Sequence, residues 1–322
     1  MAHRIVISDT KTTDYDAERD ELARVDATVE SITARTPEQL VEGAGGADGL
    51  IVDAGTPVTR AALADLDVEV VGRAGIGVDN VDLDAAEEFG VTVVHVPDYC
   101  VDEVSTQAIT LLLAVARRLP VYHEDTRTGG WEWAAGRPLH RLRGRTLGLV
   151  GFGKTARRLA RKVEGFGLDV RAHDPHVPAH EMAHLGVEAA GFEELLGAAD
   201  AVSVHVPLYD ETRGMFDAAA FAAMPEGALF VNTSRGGVVD EAALHDALDR
   251  GHLAGAGLDV MAEEPPGDSP LLGMENVVVT PHAAWYSAES REQLSRSVAA
   301  DVARVLAGER PDNPVRPGAA WG

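Results

Sequence analysis

A single cysteine, Cys100, stands in 322 residues. No intrachain disulfide can form and no thiol chemistry is legible around it, which points to a reducing, cytoplasmic compartment. Lysine is almost missing as well. Lys11, Lys154 and Lys162 are the only lysines among 28 basic residues, set against 52 acidic ones for a formal charge of −24. That balance argues against a nucleic-acid partner, because the overall field repels polyanions. No apolar run approaches the roughly 20 residues of a membrane span. The start, Met1-Ala-His-Arg-Ile-Val-Ile-Ser-Asp9, has no signal-peptide core and already reads as a strand. The twelve histidines are scattered without ligand spacing, so no metal site is expected. The acidic residues are spread over most predicted helices rather than gathered in a tail. A dispersed, lysine-poor acidic surface suits high salt, where screening acts within about 3 Å at 1 M, and a halophilic cytoplasm is the expectation.

The stretch Thr146-Leu-Gly-Leu-Val-Gly-Phe-Gly-Lys-Thr-Ala156 carries the main signal. An apolar run leads into Gly151-x-Gly153-x-x-Ala156 and then a helix-like segment. Asp174 follows Gly153 by twenty-one residues, at the end of a second apolar run. Strand, glycine turn, helix, strand and acid in that order form the dinucleotide-binding fingerprint. Gly151 allows the tight turn, Gly153 lets a pyrophosphate approach the backbone, and Ala156 is small enough for close helix packing. The pyrophosphate then meets the free N–H groups of a helix start. Asp174 can accept from a ribose 2′-hydroxyl and would repel a 2′-phosphate, so NAD is the expected cofactor.

Before this stretch, strands are expected at 4–9, 27–32, 49–53, 68–72 and 91–96, with helices between them. Thr36-Pro-Glu-Gln reads as a helix start. A long helix is expected over 102–119, ended by Pro120, followed by an irregular arm carrying Trp131 and Trp133. From Thr146 a second series runs through strands at 146–151, 168–173, 200–205, 228–233, 254–259 and 276–280, a six-stranded sheet. The last helix spans 287–306, and a proline-rich surface tail follows. The fold class is α/β: two doubly wound domains, a Rossmann NAD-binding domain at 99–284 and a discontinuous substrate domain. The latter joins residues 1–98 to a C-terminal helix and tail, 285–322.

Loops at the carboxyl ends of strands carry function in such sheets. Three of them hold reactive side chains: Arg235 after 228–233, Glu264 after 254–259 and His282 after 276–280. Reducing a 2-keto acid needs a cation on the carboxylate and carbonyl, which suits the fork of Arg235. It needs an acid for the developing alkoxide, which suits His282. A carboxylate beside that imidazole orients it and stabilises its charged form, and Glu264 is available for this.

On these residues the chain resembles the D-isomer-specific 2-hydroxyacid dehydrogenases, the superfamily that includes phosphoglycerate dehydrogenases. The likeness runs over nearly the whole chain. It is carried by Gly75-Ile-Gly-Val-Asp79-Asn-Val-Asp, Phe230-Val-Asn-Thr-Ser-Arg235-Gly-Gly-Val-Val-Asp240, Gly257-Leu-Asp-Val260, Glu264-Pro265 and Thr280-Pro-His282, besides the glycine turn. Arg235 and Glu264 are 29 residues apart, as in that family. The resemblance implies a catalytic set of Arg235, Glu264 and His282. Around the cofactor it implies Gly151, Gly153, Lys154, Thr155, Asp174, Val206, Pro207, Thr212, Thr233, Ser234, Asp259, His282 and Thr106. On the substrate it implies the Ile76 and Gly77 amides and Arg235, and its C-terminal-binding-protein branch adds Arg73 at the carboxylate end and Trp285 beside the substrate. It also implies a homodimer through the nucleotide domain.

Within the superfamily, Arg73-x-Gly-x-Gly-x-Asp-Asn-x-Asp and Pro281-His-Ala-Ala-Trp285-Tyr-Ser287 look most like the C-terminal-binding-protein branch, whose members are co-regulators that keep a dehydrogenase site. An NAD-sensing, co-regulator-like role is therefore the alternative to a plain enzyme. The chain departs from the family pattern in three places. Ala156 stands for the third glycine, Val104-Ser-Thr106 for Val-Ala-Glu, and Tyr209 for a small polar residue. Glu264, where formate dehydrogenases have Gln, argues against that activity.

Overall fold

The computed structural model describes residues 2–9 and 14–318. Lys11 and the last four residues of the expected tail lie outside them. The chain folds into two compact units, one from the described residues up to 99 together with those from 287 on, the other from residues 100–286.

The first unit is a sheet of β1 (His3–Ser8), β2 (Ala27–Ile32), β3 (Gly49–Val52), β4 (Val70–Arg73) and β5 (Thr92–Val94). The spatial order is 2-1-3-4-5, the flavodoxin-like arrangement, and neighbouring strands are parallel. β3 and β4 are buried along their whole length, as strands covered on both faces must be. Helices start where polar caps precede apolar spacing. The Thr36 hydroxyl accepts from Gln39 N at 3.3 Å with Pro37 opening the helix, and Asp82 caps Leu83–Phe89 in the same way at 2.9 Å.

The Ala288–Leu306 helix belongs to this unit and lies on β4. A Cβ on Gly72 would stand 2.7 Å from Val302 and 2.8 Å from Val298. Behind it the proline-rich tail does more than cover the surface. The buried Asp301 carboxylate accepts from Asp312 N at 2.7 Å and from Asn313 N and Nδ2 at 3.1 and 3.0 Å. These bonds aim Pro314–Val315 as a short antiparallel strand along β5.

The second unit is a parallel sheet of β6 (Thr146–Val150), β7 (Asp169–His173), β8 (Glu188–Ala189), β9 (Ala201–Val204), β10 (Ala228–Asn232), β11 (Leu253–Leu258) and β12 (Val277–Val279). Its order is 12-11-10-9-6-7-8, so the direction of winding reverses between β6 and β9. Side chains alternate between two cores. Leu147 and Leu149 face one, Val150, Val202, Val204 and Phe230 the other. In the latter, Phe216 and Phe221 set ring centroids 5.1 and 5.2 Å from Phe230. Truncating one such buried ring costs about 3–5 kcal/mol.

Two expectations are corrected. The sheet has seven strands rather than six, because the two-residue β8 pairs with β7 although both of its residues are exposed. The segment after the long helix is not irregular throughout. Val101–Ala116 ends at a break where Arg118 takes a left-handed φ of 48°, and Leu119–Arg127 is a second helix with Pro120 in its first turn. Proline opens a helix as readily as it ends one. Among the described residues no helix is long and apolar enough to cross a membrane.

Candidate active site

The glycine turn after β6 is tight at its first glycine and open at its second. Gly151 takes φ 88°, and a Cβ there would stand 2.8 Å from the carbonyl of His205 and 2.9 Å from Val206 N. Only glycine allows both the conformation and that approach, which sets Val206 and Pro207 across the turn. Gly153, by contrast, has no atom within 4 Å of a Cβ position. The space over it is open, just where the Lys154–Val163 helix presents its first amides at Lys154 and Thr155. Ala156 is fully buried against the sheet. Asp174 accepts from Phe152 N at 2.7 Å and from His176 N at 2.8 Å, which fixes its carboxylate at the end of β7.

Farther along the sheet edge, the Thr233 hydroxyl is buried and has no hydrogen-bond partner. A buried, unbonded hydroxyl is uncommon in a native chain, and it stands ready for a ligand. The open cradle at Gly153, the placed acid and this orphaned hydroxyl fit NAD.

Other residues expected around the cofactor are engaged within the protein. Thr212 donates to Pro207 O at 2.6 Å and accepts from Tyr209 N at 2.9 Å, closing the 207–212 turn. Ser234 is bonded through both N and Oγ to Asn232 Oδ1. Thr106 donates to Asp102 O and meets Lys162 Nζ at 2.6 Å. Lys162 is in the last turn of its helix, eight residues or about 12 Å of helix rise from Lys154. The structure thus ties Thr106 to the far end of that helix rather than to the glycine turn.

Arg235, Glu264 and His282 sit on the loops after three adjacent strands, β10, β11 and β12. Buried Asn232 shapes the first loop, its Nδ2 donating to Arg235 O at 2.9 Å. Gly236 then brings that loop onto the second. A Cβ on it would stand 1.9 Å from the Met261 carbonyl carbon, so only glycine lets the two backbones touch. Glu264 Oε1 accepts from Met261 N at 3.2 Å, and its Oε2 lies 2.7 Å from His282 Nδ1. A carboxylate oxygen only accepts, so Nδ1 carries the proton and Nε2 is the other ring nitrogen, outside this pair. Both side chains stay solvent-accessible.

Asp259 lies beneath this turn, with 1 % of its surface exposed, and burial pushes its carboxyl above the usual range. It accepts from Thr280 Oγ1 at 2.5 Å, Ala283 N at 3.0 Å and Ala284 N at 2.8 Å. Trp285 is tied to the same turn, its indole donating to His282 O at 3.0 Å.

The first unit holds the remaining residues. Buried Arg73 ends β4, and its guanidinium lies against Gly75, where a Cβ would overlap it at 1.4 Å. Gly75 N turns back to Arg73 O at 2.8 Å. His95 Nδ1 donates to Ile76 O at 2.7 Å and Val96 N to Gly75 O at 3.0 Å, pinning the loop from its other side. Burial lowers the His95 imidazole below its ordinary value, against the Ile76 hydrogen bond and with the help of the Arg73 charge.

Reading the sequence missed the supports: Asn232, His95, Gln107 (which donates to Thr280 Oγ1 at 3.1 Å) and the part Thr280 plays. Asn232 had one usable signal, a polar residue closing an apolar strand just before the reactive loop. Gln107 and His95 had none.

The Rossmann strand order, the glycine turn and the placed Asp174 carboxylate define a dinucleotide-binding architecture. The family model described as D-isomer specific 2-hydroxyacid dehydrogenase, NAD binding domain, matches residues 109–284, and the chain belongs to that family. It is 38% identical over 289 residues to a D-3-phosphoglycerate dehydrogenase of Methanocaldococcus jannaschii, covering 89% of this chain and 55% of that protein. The chain thus spans about half the length of the curated phosphoglycerate dehydrogenases that it matches. It is 42% identical over 295 residues to an (S)-sulfolactate dehydrogenase of Chromohalobacter salexigens, covering 90% of this chain and 94% of the other. A D-lactate dehydrogenase of Aquifex aeolicus, solved with NAD and lactic acid, superposes with a TM-score of 0.89 at 25% identity. That match covers 98% of this chain and all of the other.

Proposed function

We propose that the protein is an NAD-dependent D-2-hydroxyacid dehydrogenase that interconverts a 2-keto acid and its D-2-hydroxy acid. The observation that carries the reading is the His282 ring held by Glu264 at 2.7 Å at the end of β12. When bound, NADH supplies the hydride. His282 Nε2 gives its proton to the developing alkoxide and takes it back in the reverse direction. Glu264 keeps the ring in the required tautomer and offsets its charge. Arg235 binds the carboxylate and polarises the carbonyl. Gly151, Gly153, Lys154 and Thr155 hold the pyrophosphate, Asp174 the adenosine ribose, and Thr233 the nicotinamide end. Residues 100–286 act as the cofactor domain, the rest as the substrate domain. Arg73 and the Ile76 and Gly77 amides are assigned to the substrate carboxylate, and Trp285 to its remainder.

The relatives' names narrow the panel to test. Phosphoglycerate and sulfolactate each carry a second strong acid on the carbon beside the hydroxyl-bearing one. In sulfolactate the sulfur outranks the carboxylate in naming, so (S) describes the same hand as D.

The test is NADH oxidation, with NADPH in parallel, in high KCl as the charge of −24 suggests. The panel comprises phosphohydroxypyruvate, sulfopyruvate, pyruvate and branched 2-keto acids. Arg235→Ala and His282→Ala should abolish turnover while NADH still binds, and near-full activity in either sinks the assignment. Tight NADH binding with negligible turnover across the panel shifts weight to the NAD-sensing, co-regulator-like use of the site. For the assembly we infer a homodimer through the arm that leaves Trp131 85% and Trp133 69% exposed.

A further inference from the structure

His282 holds an uncommon backbone conformation, φ 51°, outside glycine. A residue in that region persists only where its surroundings over-determine it. Here the surroundings are the 280–284 turn and one carboxylate. His282 N donates to Asp259 O at 2.8 Å and to Thr280 O at 2.9 Å. The Asp259 side chain takes the next two amides, Ala283 on Oδ1 and Ala284 on Oδ2, and the Thr280 hydroxyl on Oδ1. Both carboxylate oxygens are thus committed to the turn.

The last of these contacts depends on a residue far away in sequence. A threonine hydroxyl has one proton and two lone pairs. Gln107 Nε2 can only donate, and it does so to Thr280 Oγ1 at 3.1 Å. With that lone pair occupied, the Thr280 proton is directed to Asp259. Gln107 itself has a rigid base. It lies one helical turn before Leu111 on the Val101–Ala116 helix, and Leu111 packs directly on β11, where a Cβ on Gly257 would stand 2.7 Å from it. β11 is the strand that leads directly into Asp259. One face of one helix therefore braces the strand below Asp259 and orients the hydroxyl above it.

We propose that Gln107 is a positioning residue for His282, acting through Thr280 and the Asp259 carboxylate to hold the turn that presents the imidazole to the substrate. The proposal rests on His282 being the proton donor. It assigns Asp259 to the turn as well as to the cofactor side.

The test compares wild type with Gln107→Leu, Gln107→His, Thr280→Val and His282→Ala. Two readouts are needed. Hydrogen exchange of residues 280–286, measured without cofactor or substrate, should speed up at least about fivefold in Gln107→Leu and Thr280→Val; unchanged exchange overturns the proposal. In turnover, Gln107→Leu should lower kcat at least tenfold, with the Kd for NADH within twofold of wild type. The pH at which kcat is half-maximal should move, because the His282–Glu264 contact loosens. Gln107→His, whose ring N–H can reach Thr280, should recover most of the lost kcat.

A Gln107→Leu enzyme with wild-type kcat and pH profile refutes the idea even if exchange is faster. If Gln107→Leu does not fold, Thr280→Val, which keeps the branched shape, decides on the same readouts. If His282→Ala turns over normally, the proton-donor reading fails and this one falls with it. Loss of activity in His282→Ala beside full activity in Gln107→Leu fails this proposal alone.

Discussion

The substitution Gly153→Ala separates cofactor binding from folding. In the protein the added methyl meets nothing within 4 Å, and Gly153 has φ −74° and ψ −167°, which alanine adopts freely. Two small terms then act on stability. Alanine is a poorer N-cap than glycine by roughly 0.5–1 kcal/mol. Losing glycine's freedom in the unfolded chain returns about 0.4–1 kcal/mol. They offset, so the cofactor-free Tm should move by no more than a few degrees. The same methyl fills the space over the first amides of the Lys154–Val163 helix, the place proposed for the pyrophosphate. Displacing it from one charge-assisted hydrogen bond costs about 1.5–3 kcal/mol, roughly a ten- to hundredfold rise in the Kd for NADH.

Gly151→Ala supplies the contrast. Its methyl would press on the His205 carbonyl at 2.8 Å in a left-handed conformation. The conformation alone costs about 1–2 kcal/mol, so the Tm should fall without any ligand present. Fluorescence titration with NADH and thermal unfolding of the free protein measure both effects. Wild-type NADH affinity in Gly153→Ala would refute the placement of the pyrophosphate.

Two other predictions concern residues away from the chemistry. His205, bonded through Nε2 to Ser203 Oγ at 2.9 Å, is pushed down by burial from 6.5 to about 4. Its contribution is fully present above pH 6.5. It is lost as pH falls through 4, because the unfolded chain takes up a proton that the folded one refuses; the ceiling is about 3 kcal/mol. Urea unfolding at several values between pH 7.5 and 4.5 should give a flatter profile for His205→Gln, and parallel profiles count against the assignment. Trp131→Glu should dissociate the dimer inferred from the exposed arm, read by light scattering in high KCl, while NADH still binds. An unchanged mass places the contact elsewhere.

Legibility in this chain followed the range of the physics involved. The glycine turn could be read because its requirements are local. The left-handed turn at Gly151 and the open helix start at Gly153 are demands of the turn itself, and the strand, helix and acid follow at fixed distances. The placing of Arg235, Glu264 and His282 on loops after β10, β11 and β12 could be read because each loop follows an apolar strand whose end is recognisable. β8 could not, since Glu188 and Ala189 are both exposed and two residues make no pattern. The helix after Arg118 was missed because Pro120 reads alike as an end and as a beginning.

Thr106 and Gln107 show where local reading stops. They are neighbours on one helix, turned about 100° apart by the helical repeat. The family resemblance puts Thr106 near the cofactor and gives Gln107 no role. The packing of the Val101–Ala116 helix on the sheet sets where both side chains go. It turns Thr106 to Lys162 and points Gln107 at Thr280, 173 residues away in the chain. Which of two adjacent polar residues touches the machinery is set by how the helix is rotated on β11, and Leu111 against Gly257 fixes that rotation. An apolar contact one turn along the helix therefore selects the residue that reaches the 280–284 turn.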